Sequence, residues 1–284
     1  MRDVLIALSP AFVASVYFFG PRAALLCLVC MAACIFFEWA YRKALSLSST
    51  VGDFSAGVTG LILAYNLPAS LPFWMAVVGS FTAVVVVKQM FGGLGKNFAN
   101  PAVVGRIVLL LSFTGPMTTW PPATDAVTSA TPLADFGDVL PPFTYMQMFL
   151  GQIGGSLGET CKIALILGGI YLLWVGVITV TIPAAYLGSV AVMAALLGHD
   201  PIYHLLAGGA VMGAIFCATD YSTSPTTERG KLIFGAGCGV ITVVIRVFGS
   251  MPEGASFAIL FMNILTPFID RLTAVKAFGG EYKK

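Results

Sequence analysis

An all-α protein crossing a membrane about ten times, in two inverted five-helix repeats with broken or re-entrant helices, is the fold class three features predict. The 284 residues are 58% hydrophobic and only 10% charged, with a mean hydropathy of +0.91, too little charge for a soluble domain of this size. Apolar runs close to the ~20 residues that a bilayer requires recur along the chain. Lys and Arg are unevenly spread: 55 consecutive residues between Arg106 and Lys162 contain neither. The net charge of +2 says nothing of nucleic acid, which is not an expected partner; the lipid bilayer is.

In chain order the apolar runs place spans at 4–19, 22–40, 54–67, 72–90 and 101–115, then at 160–178, 182–198, 203–218, 232–249 and 254–270. The first lacks a small-residue cleavage site and runs straight into the second, so it reads as a mature span rather than a signal peptide. Cys27, Cys30 and Cys34 share roughly one face of the second. A metal or iron–sulfur site there is conceivable, but small apolar packing explains them better. The spans 54–67 and 203–218 are short for a core of about 30 Å, which predicts broken or re-entrant helices shielded by protein or water.

The positive-inside rule then orients the chain. Arg2, Arg42, Lys43, Lys88, Lys96, Arg106, Arg229, Lys231, Arg271, Lys276, Lys283 and Lys284 fall on the cytoplasmic side, with both termini, and Arg22, Lys162 and Arg246 towards the outer face. The stretch free of Lys and Arg places the 116–158 loop outside. Motifs echo between the halves: VTGLILAYNLP from Val58 with VMGAIFCATDYSTSP from Val211, and FGGLGKNFANPA from Phe91 with FGSMPEGASFA from Phe248, at offsets of about 153 and 157 residues. Five spans per half make the second repeat inverted relative to the first, with its broken helices meeting near the midplane. The expected divisions are a first repeat over 1–115, an outer loop over 116–158, a second repeat over 159–271 and a cytoplasmic tail over 272–284.

Polar motifs inside this apolar chain are the candidate sites. Asn100-Pro101 is a standard helix start, yet Lys96, Asn97 and Asn100 form a polar, Gly-rich turn at membrane depth; cap and cofactor-lining turn are equally supported. Glu253-Gly254 is its counterpart in the second half. ATDYSTSPTTERGK, Ala218 to Lys231, reads as a solvated cytoplasmic hairpin, with a docking surface or a cofactor lid as the alternative. His199 and His204 read as interfacial side chains, and Glu159 as an acid at a helix N-terminus. No dinucleotide-binding or P-loop glycine pattern and no nucleophile–His–acid set is present, so catalysis of the soluble kind is not expected. On its residues alone, DAVTSATPLADF, from Asp125 to Phe136, reads as a solvated Thr/Ser spacer.

GDFSAGVTGLILAYNLP, KQMFGGLGKNFANPAVVGR, GSLGET, ATDYSTSPTTERGKLIFGAGCG and IRVFGSMPEGASFAILFMNILTPFIDR together resemble the D subunit of Rnf electron-transport complexes and the related B subunit of the sodium-pumping NADH:quinone reductase. The resemblance spans nearly the whole chain. It implies a subunit of a multi-subunit ferredoxin:NAD oxidoreductase in the cell membrane, moving Na+ or H+, without a complete active site in this chain. It also implies covalent FMN on an outer-loop motif that DAVTSAT matches at Asp125, Thr128, Ser129, Ala130 and Thr131. Thr131 would carry the flavin through a phosphoester, delivered by a separate flavin transferase, with Asp125 recognised by that enzyme. A second, non-covalent flavin such as riboflavin is implied within the membrane, with Asn100 and Asp220 as candidates for its surroundings. The competing reading is a channel or secondary transporter of the urea- or ammonium-channel architecture, without redox function.

Overall fold

The computed structural model describes residues 1–120, 144–249 and 254–274, and among these every regular element is helical. In order they are α1 (Arg2–Phe19), α2 (Pro21–Ala44), α3 (Ser55–Tyr65), α4 (Phe73–Phe81, continuing as a π-helix over Thr82–Gln89), α5 (Pro101–Ser112) and α6 (Thr114–Thr118). After them come α7 (Tyr145–Leu150), α8 (Lys162–Trp174), α9 (Thr181–Leu196), α10 (Pro201–Leu206), α11 (Ala210–Met212, continuing as a π-helix over Gly213–Cys217), α12 (Glu228–Phe248) and α13 (Gly254–Thr273). α1, α2, α12 and α13 are long and apolar enough to cross a membrane, and shorter apolar helices accompany them, as expected of an all-α polytopic membrane protein. Each predicted span coincides with a helix to within a few residues, except that 203–218 is broken at Ala207–Gly209. α3, with 11 residues, covers only about 16 Å, roughly half the hydrocarbon thickness.

Short helices survive here because their open ends are tied down. α3 packs on α2 where Gly60 lacks a side chain: a Cβ would stand 2.7 Å from the Cys30 carbonyl oxygen. Beyond its end, the Tyr65 and Leu67 carbonyls accept from Gly158 N–H at 2.9 Å and Leu157 N–H at 3.1 Å, strapping GSLGET onto the first half. The three cations predicted towards the outer face hold freed backbone carbonyls. Arg22 donates to Ala69, Ser70 and Leu71, Lys162 to Gly208 at 2.8 Å, and Arg246 to His204 at 2.6 Å and Ala207 at 2.9 Å. A backbone oxygen stranded in hydrocarbon is costly, so cations at helix breaks follow from the breaks themselves.

Two of the charges counted on the cytoplasmic side, Lys88 and Arg106, belong to the predicted spans 72–90 and 101–115. Lys88 and Arg106 lie inside helical spans, 1% and 2% exposed, held by internal partners rather than by water. They carry no weight in a positive-inside tally.

The two halves use matching ties. Arg106 on α5 donates to Asn66 Oδ1 at 3.2 Å, and Asn263 on α13 donates to the Thr223 carbonyl at 3.1 Å. Asn66 and Thr223 lie 157 residues apart, and so do Arg106 and Asn263. Between the halves, Asn100 N–H donates to Asn263 Oδ1 at 3.1 Å and Arg106 Nη1 to Ser256 Oγ at 2.8 Å.

Candidate functional site

A cavity opens at the end of the molecule bearing Met1. Both halves line it: Ser55, Thr59 and Ile62 from α3, Lys88, Asn97, Asn100 and Ala102 around the start of α5, and Ile215, Phe216, Asp220, Tyr221 and Ser222 at and beyond the end of α11. Apolar walls with a few converging polar groups are the usual make-up of a cofactor pocket. Two of its walls, Thr82–Gln89 and Gly213–Cys217, are π-helical, a geometry often found at functional sites.

Asn100 fulfils both sequence readings at once. Its side-chain oxygen caps α5, accepting from Ala102 N–H at 3.1 Å and Val103 N–H at 3.4 Å, with Pro101 at the first helical position. Its amide nitrogen donates across to the Cys217 carbonyl at 3.2 Å, and the residue lines the cavity. Asp220 lies in the turn beyond α11. Its carboxylate accepts from Ser222 N–H at 3.2 Å and from the Ser222 hydroxyl at 3.1 Å. Desolvation raises its pKa from the ordinary carboxylate value, and the Ser222 and Thr223 hydrogen bonds counter this. Residues 120 positions apart, Asn100 and Asp220, thus share one wall system.

Lys88, counted among the cytoplasmic charges by sequence, reaches the cavity from the π-helical end of α4. Its Nζ donates to Glu38 Oε2 and Ser55 Oγ, both at 2.6 Å. Glu38 also accepts from the Thr50 hydroxyl at 2.5 Å, and Ser55 donates onward to Asp53 at 2.5 Å. The Glu38 and Lys88 side chains are 1% and 2% exposed, so the pair is electrically neutral and held away from water. Buried pairs of this kind seldom add net stability, which makes them more informative about specificity than about folding. Their sequence signal is one acid, Glu38, inside the apolar run 22–40 and one base, Lys88, inside 72–90.

Past the inner end of the cavity lies a second polar cluster. Glu159 Oε1 stands 3.5 Å from Arg106 Nη1 and within electrostatic reach of Lys162 and Arg246. Glu159 is therefore a buried counter-ion, 3% exposed, and its position near the start of α8 is incidental to a helix-dipole role. His204 is fully buried, its ring 5.6 Å from that of His199.

Asp125, Thr128, Ser129, Ala130, Thr131 and Glu253 lie outside the described residues. Within the cavity, one observation bears directly on whether a heteroaromatic guest fits. Asn97 Oδ1 is buried and has no hydrogen-bond partner among the described residues, beside the amide of Asn100 and the apolar walls of Ile62 and Phe216. An orphaned acceptor of that kind suits a guest carrying a ring N–H.

Comparison with known proteins gives a consistent set of relatives. The model of the NQR2, RnfD, RnfE family matches residues 1–279. The D subunit of the Na(+)-translocating ferredoxin:NAD(+) oxidoreductase complex of Acetobacterium woodii is 45% identical, the match covering 98% of this chain and 90% of that protein. The D subunit of the proton-translocating ferredoxin:NAD(+) oxidoreductase complex of Clostridium ljungdahlii is 40% identical, covering 98% and 91%. The D subunit of the ion-translocating oxidoreductase complex of Stutzerimonas stutzeri is 36% identical, covering 98% and 91%.

Proposed function

Because the chain belongs to the NQR2, RnfD, RnfE family, we propose that it is the D-type membrane subunit of an ion-translocating ferredoxin:NAD oxidoreductase complex. Its relatives are named for Na+ and for protons alike, so the coupling ion stays open between these two. The proposed partners are the other subunits of the complex, the bilayer, and a flavin transferase that attaches FMN to Thr131 within the Asp125–Thr131 motif. The Met1 end faces the cytoplasm in this reading and the 116–158 loop faces outward. The repeated 157-residue spacing of the Asn66–Arg106 and Thr223–Asn263 ties supports two inverted repeats, over 1–115 and 159–271.

The cavity carries the redox part of the proposal. A non-covalent flavin bound there would supply a one- or two-electron carrier inside the membrane subunit. Ile62, Ile215 and Phe216 would clamp the ring, with Asn97 accepting from a ring N–H and Asn100 orienting the turn that presents it. Around the mouth, Lys88 is already neutralised by Glu38, and Asp220 adds negative charge. A phosphate would gain little from such a lining, whereas the hydroxyls of Ser55, Thr59 and Ser222 suit an uncharged ribityl chain. Riboflavin is thus the expected guest.

The test is flavin released from the purified protein by acid, after separation from flavin that stays with the precipitated chain. The wild type is expected to release riboflavin in near-stoichiometric amount. Asn97→Leu removes the orphaned acceptor and is expected to lower retention about tenfold, since a lost buried hydrogen-bond partner costs roughly 1–3 kcal/mol. Release of no flavin from the wild type, or an unchanged amount from Asn97→Leu, would remove the cavity from the electron path.

A further inference from the structure

We propose that the corner between the end of α2 and the glycine-rich turn after α4 binds the phosphate of an anionic phospholipid, whose acyl chains lie on the aromatic face below. The inference rests on the membrane-subunit reading, which sets this end of the molecule at the cytoplasmic leaflet, and not on the identity of any cofactor. Arg42 and Lys43 stand in the last turn of α2, and Lys96 in the turn over 91–97. Arg42 is fixed by two contacts: Nε donates to the Ser48 carbonyl, and Nη1 to Gln89 Oε1 at 3.4 Å. Gln89, 5% exposed at the π-helical end of α4, holds its Nε2 buried without a hydrogen-bond partner among the described residues. An amide donor in that state, beside a guanidinium, suits an anionic acceptor. Lys96 approaches from the turn itself. A Cβ on Gly93 would stand 3.6 Å from Arg42 Nη1, and one on Gly92 3.6 Å from Lys96 Nζ, so the two cations flank one Gly-Gly step. Both glycines take positive φ, 109° and 91°, which a side chain would strain. Glu38, the one acid of α2, is already engaged by Lys88 and Thr50.

Below the cations the surface turns apolar. Phe36 and Trp39 on α2 and Phe81 and Val86 on the α4 helix are exposed. Their rings form one continuous face: Trp39 lies 6.1 Å from Phe36, Phe36 5.6 Å from Phe37, and Phe37 5.3 Å from Phe81 across the two helices. Lys43 Nζ stands 4.7 Å from the centre of the Trp39 ring. A snorkelling cation on an interfacial Trp marks the headgroup level. A basic corner directly over an apolar helix face matches both parts of one amphiphile. A free phosphate would use the corner alone, and an acidic peptide would leave the aromatic face uncovered. The turn over 91–97 also carries Leu94 and Asn97 into the cavity, so a lipid seated on its outer side braces one wall of the guest site.

The test uses the full chain in detergent, with phosphatidylglycerol and phosphatidylcholine of identical acyl chains added in equal amount. Native mass spectrometry counts the lipids that stay bound. The wild type is expected to retain phosphatidylglycerol about tenfold over phosphatidylcholine. Arg42→Gln combined with Lys96→Gln is expected to abolish that preference. Arg229→Gln combined with Arg271→Gln, which removes as much charge elsewhere, is expected to keep it. A second measurement needs only the wild type. In phosphatidylcholine discs doped with a phosphatidylglycerol bearing a photoreactive acyl chain, cross-links should fall on peptides containing Phe36, Trp39 or Phe81. Equal retention of the two lipids, the same result in both double variants, or cross-links confined to other helices would each overturn the site. Displacement of the lipid by inorganic phosphate would make the corner a plain anion site, and displacement by polyglutamate a protein-docking one; either overturns the proposal. Flavin released from the same preparations reads the cofactor proposal separately.

Discussion

Glu159→Gln is expected to destabilise the protein by about 3–5 kcal/mol, the range for removing one partner of a buried ion pair. The substitution keeps the side chain's shape, so packing against Gly209 is preserved and the loss is one of charge. Arg106, Lys162 and Arg246 would then remain buried with their shared carboxylate gone. At roughly 2–4 °C per kcal/mol for a chain of this size, the unfolding midpoint should fall by on the order of 10 °C. A maleimide dye that fluoresces on reaction reads this out, because Cys27, Cys30, Cys34, Cys217 and Cys238 are buried in the folded protein. Glu228→Gln is the control. Glu228 pairs with Lys231 at 2.7 Å on a side chain 64% exposed, where such pairs contribute less than about 1 kcal/mol. Equal shifts in the two variants would show that Glu159 is not the counter-ion of the cluster.

The second large effect is all-or-none. In the proposed function the FMN phosphate is esterified to the Thr131 hydroxyl, so Thr131→Ala removes the only oxygen through which it is attached. Flavin fluorescence on a denaturing gel is expected to vanish in Thr131→Ala. Partial labelling in Thr131→Ser is expected, because its hydroxyl survives, and near-normal labelling in Thr128→Ala. Asp125→Ala should lower the modified fraction without changing the bond in the molecules that carry it. Membrane insertion should be unaffected, since the apolar helices that insert lie elsewhere in the chain. Undiminished fluorescence in Thr131→Ala would move the attachment to another residue.

How far the sequence reaches is clearest at α5. Asn100-Pro101 announces a helix start by local chemistry alone, and the structure shows that cap. Whether Asn100 also faces a cofactor site cannot be read locally, because its second partner, the Cys217 carbonyl, lies 117 residues away. Asp220 joins it for the same reason: a turn legible as polar, placed by packing that no window of sequence contains. The breaks at 66–72 and 207–209 are foreshadowed by short spans, but their consequence is not. Arg22, Lys162 and Arg246 look like exceptions to a topological rule and are the side chains that hold freed carbonyls. Lys88 and Arg106 go the opposite way: they count among the cytoplasmic charges although each lies inside a predicted span. Burial of a lone ionisable residue depends on a partner, and Glu38 lies 50 residues from Lys88 while Glu159 lies 53 from Arg106. A rule that inspected every charge inside an apolar run for such a partner would have found both pairs.

A flavin-bearing redox subunit and a channel differ most sharply in the chemistry of Thr131. Mass spectrometry of the peptide containing that residue, from protein produced together with an active flavin transferase, separates the two most directly. The predicted result is a peptide heavier by FMN less one water, with the added mass on Thr131. An unmodified Thr131 peptide, in cells where the same transferase modifies another substrate, would contradict the redox reading and leave the channel in its place.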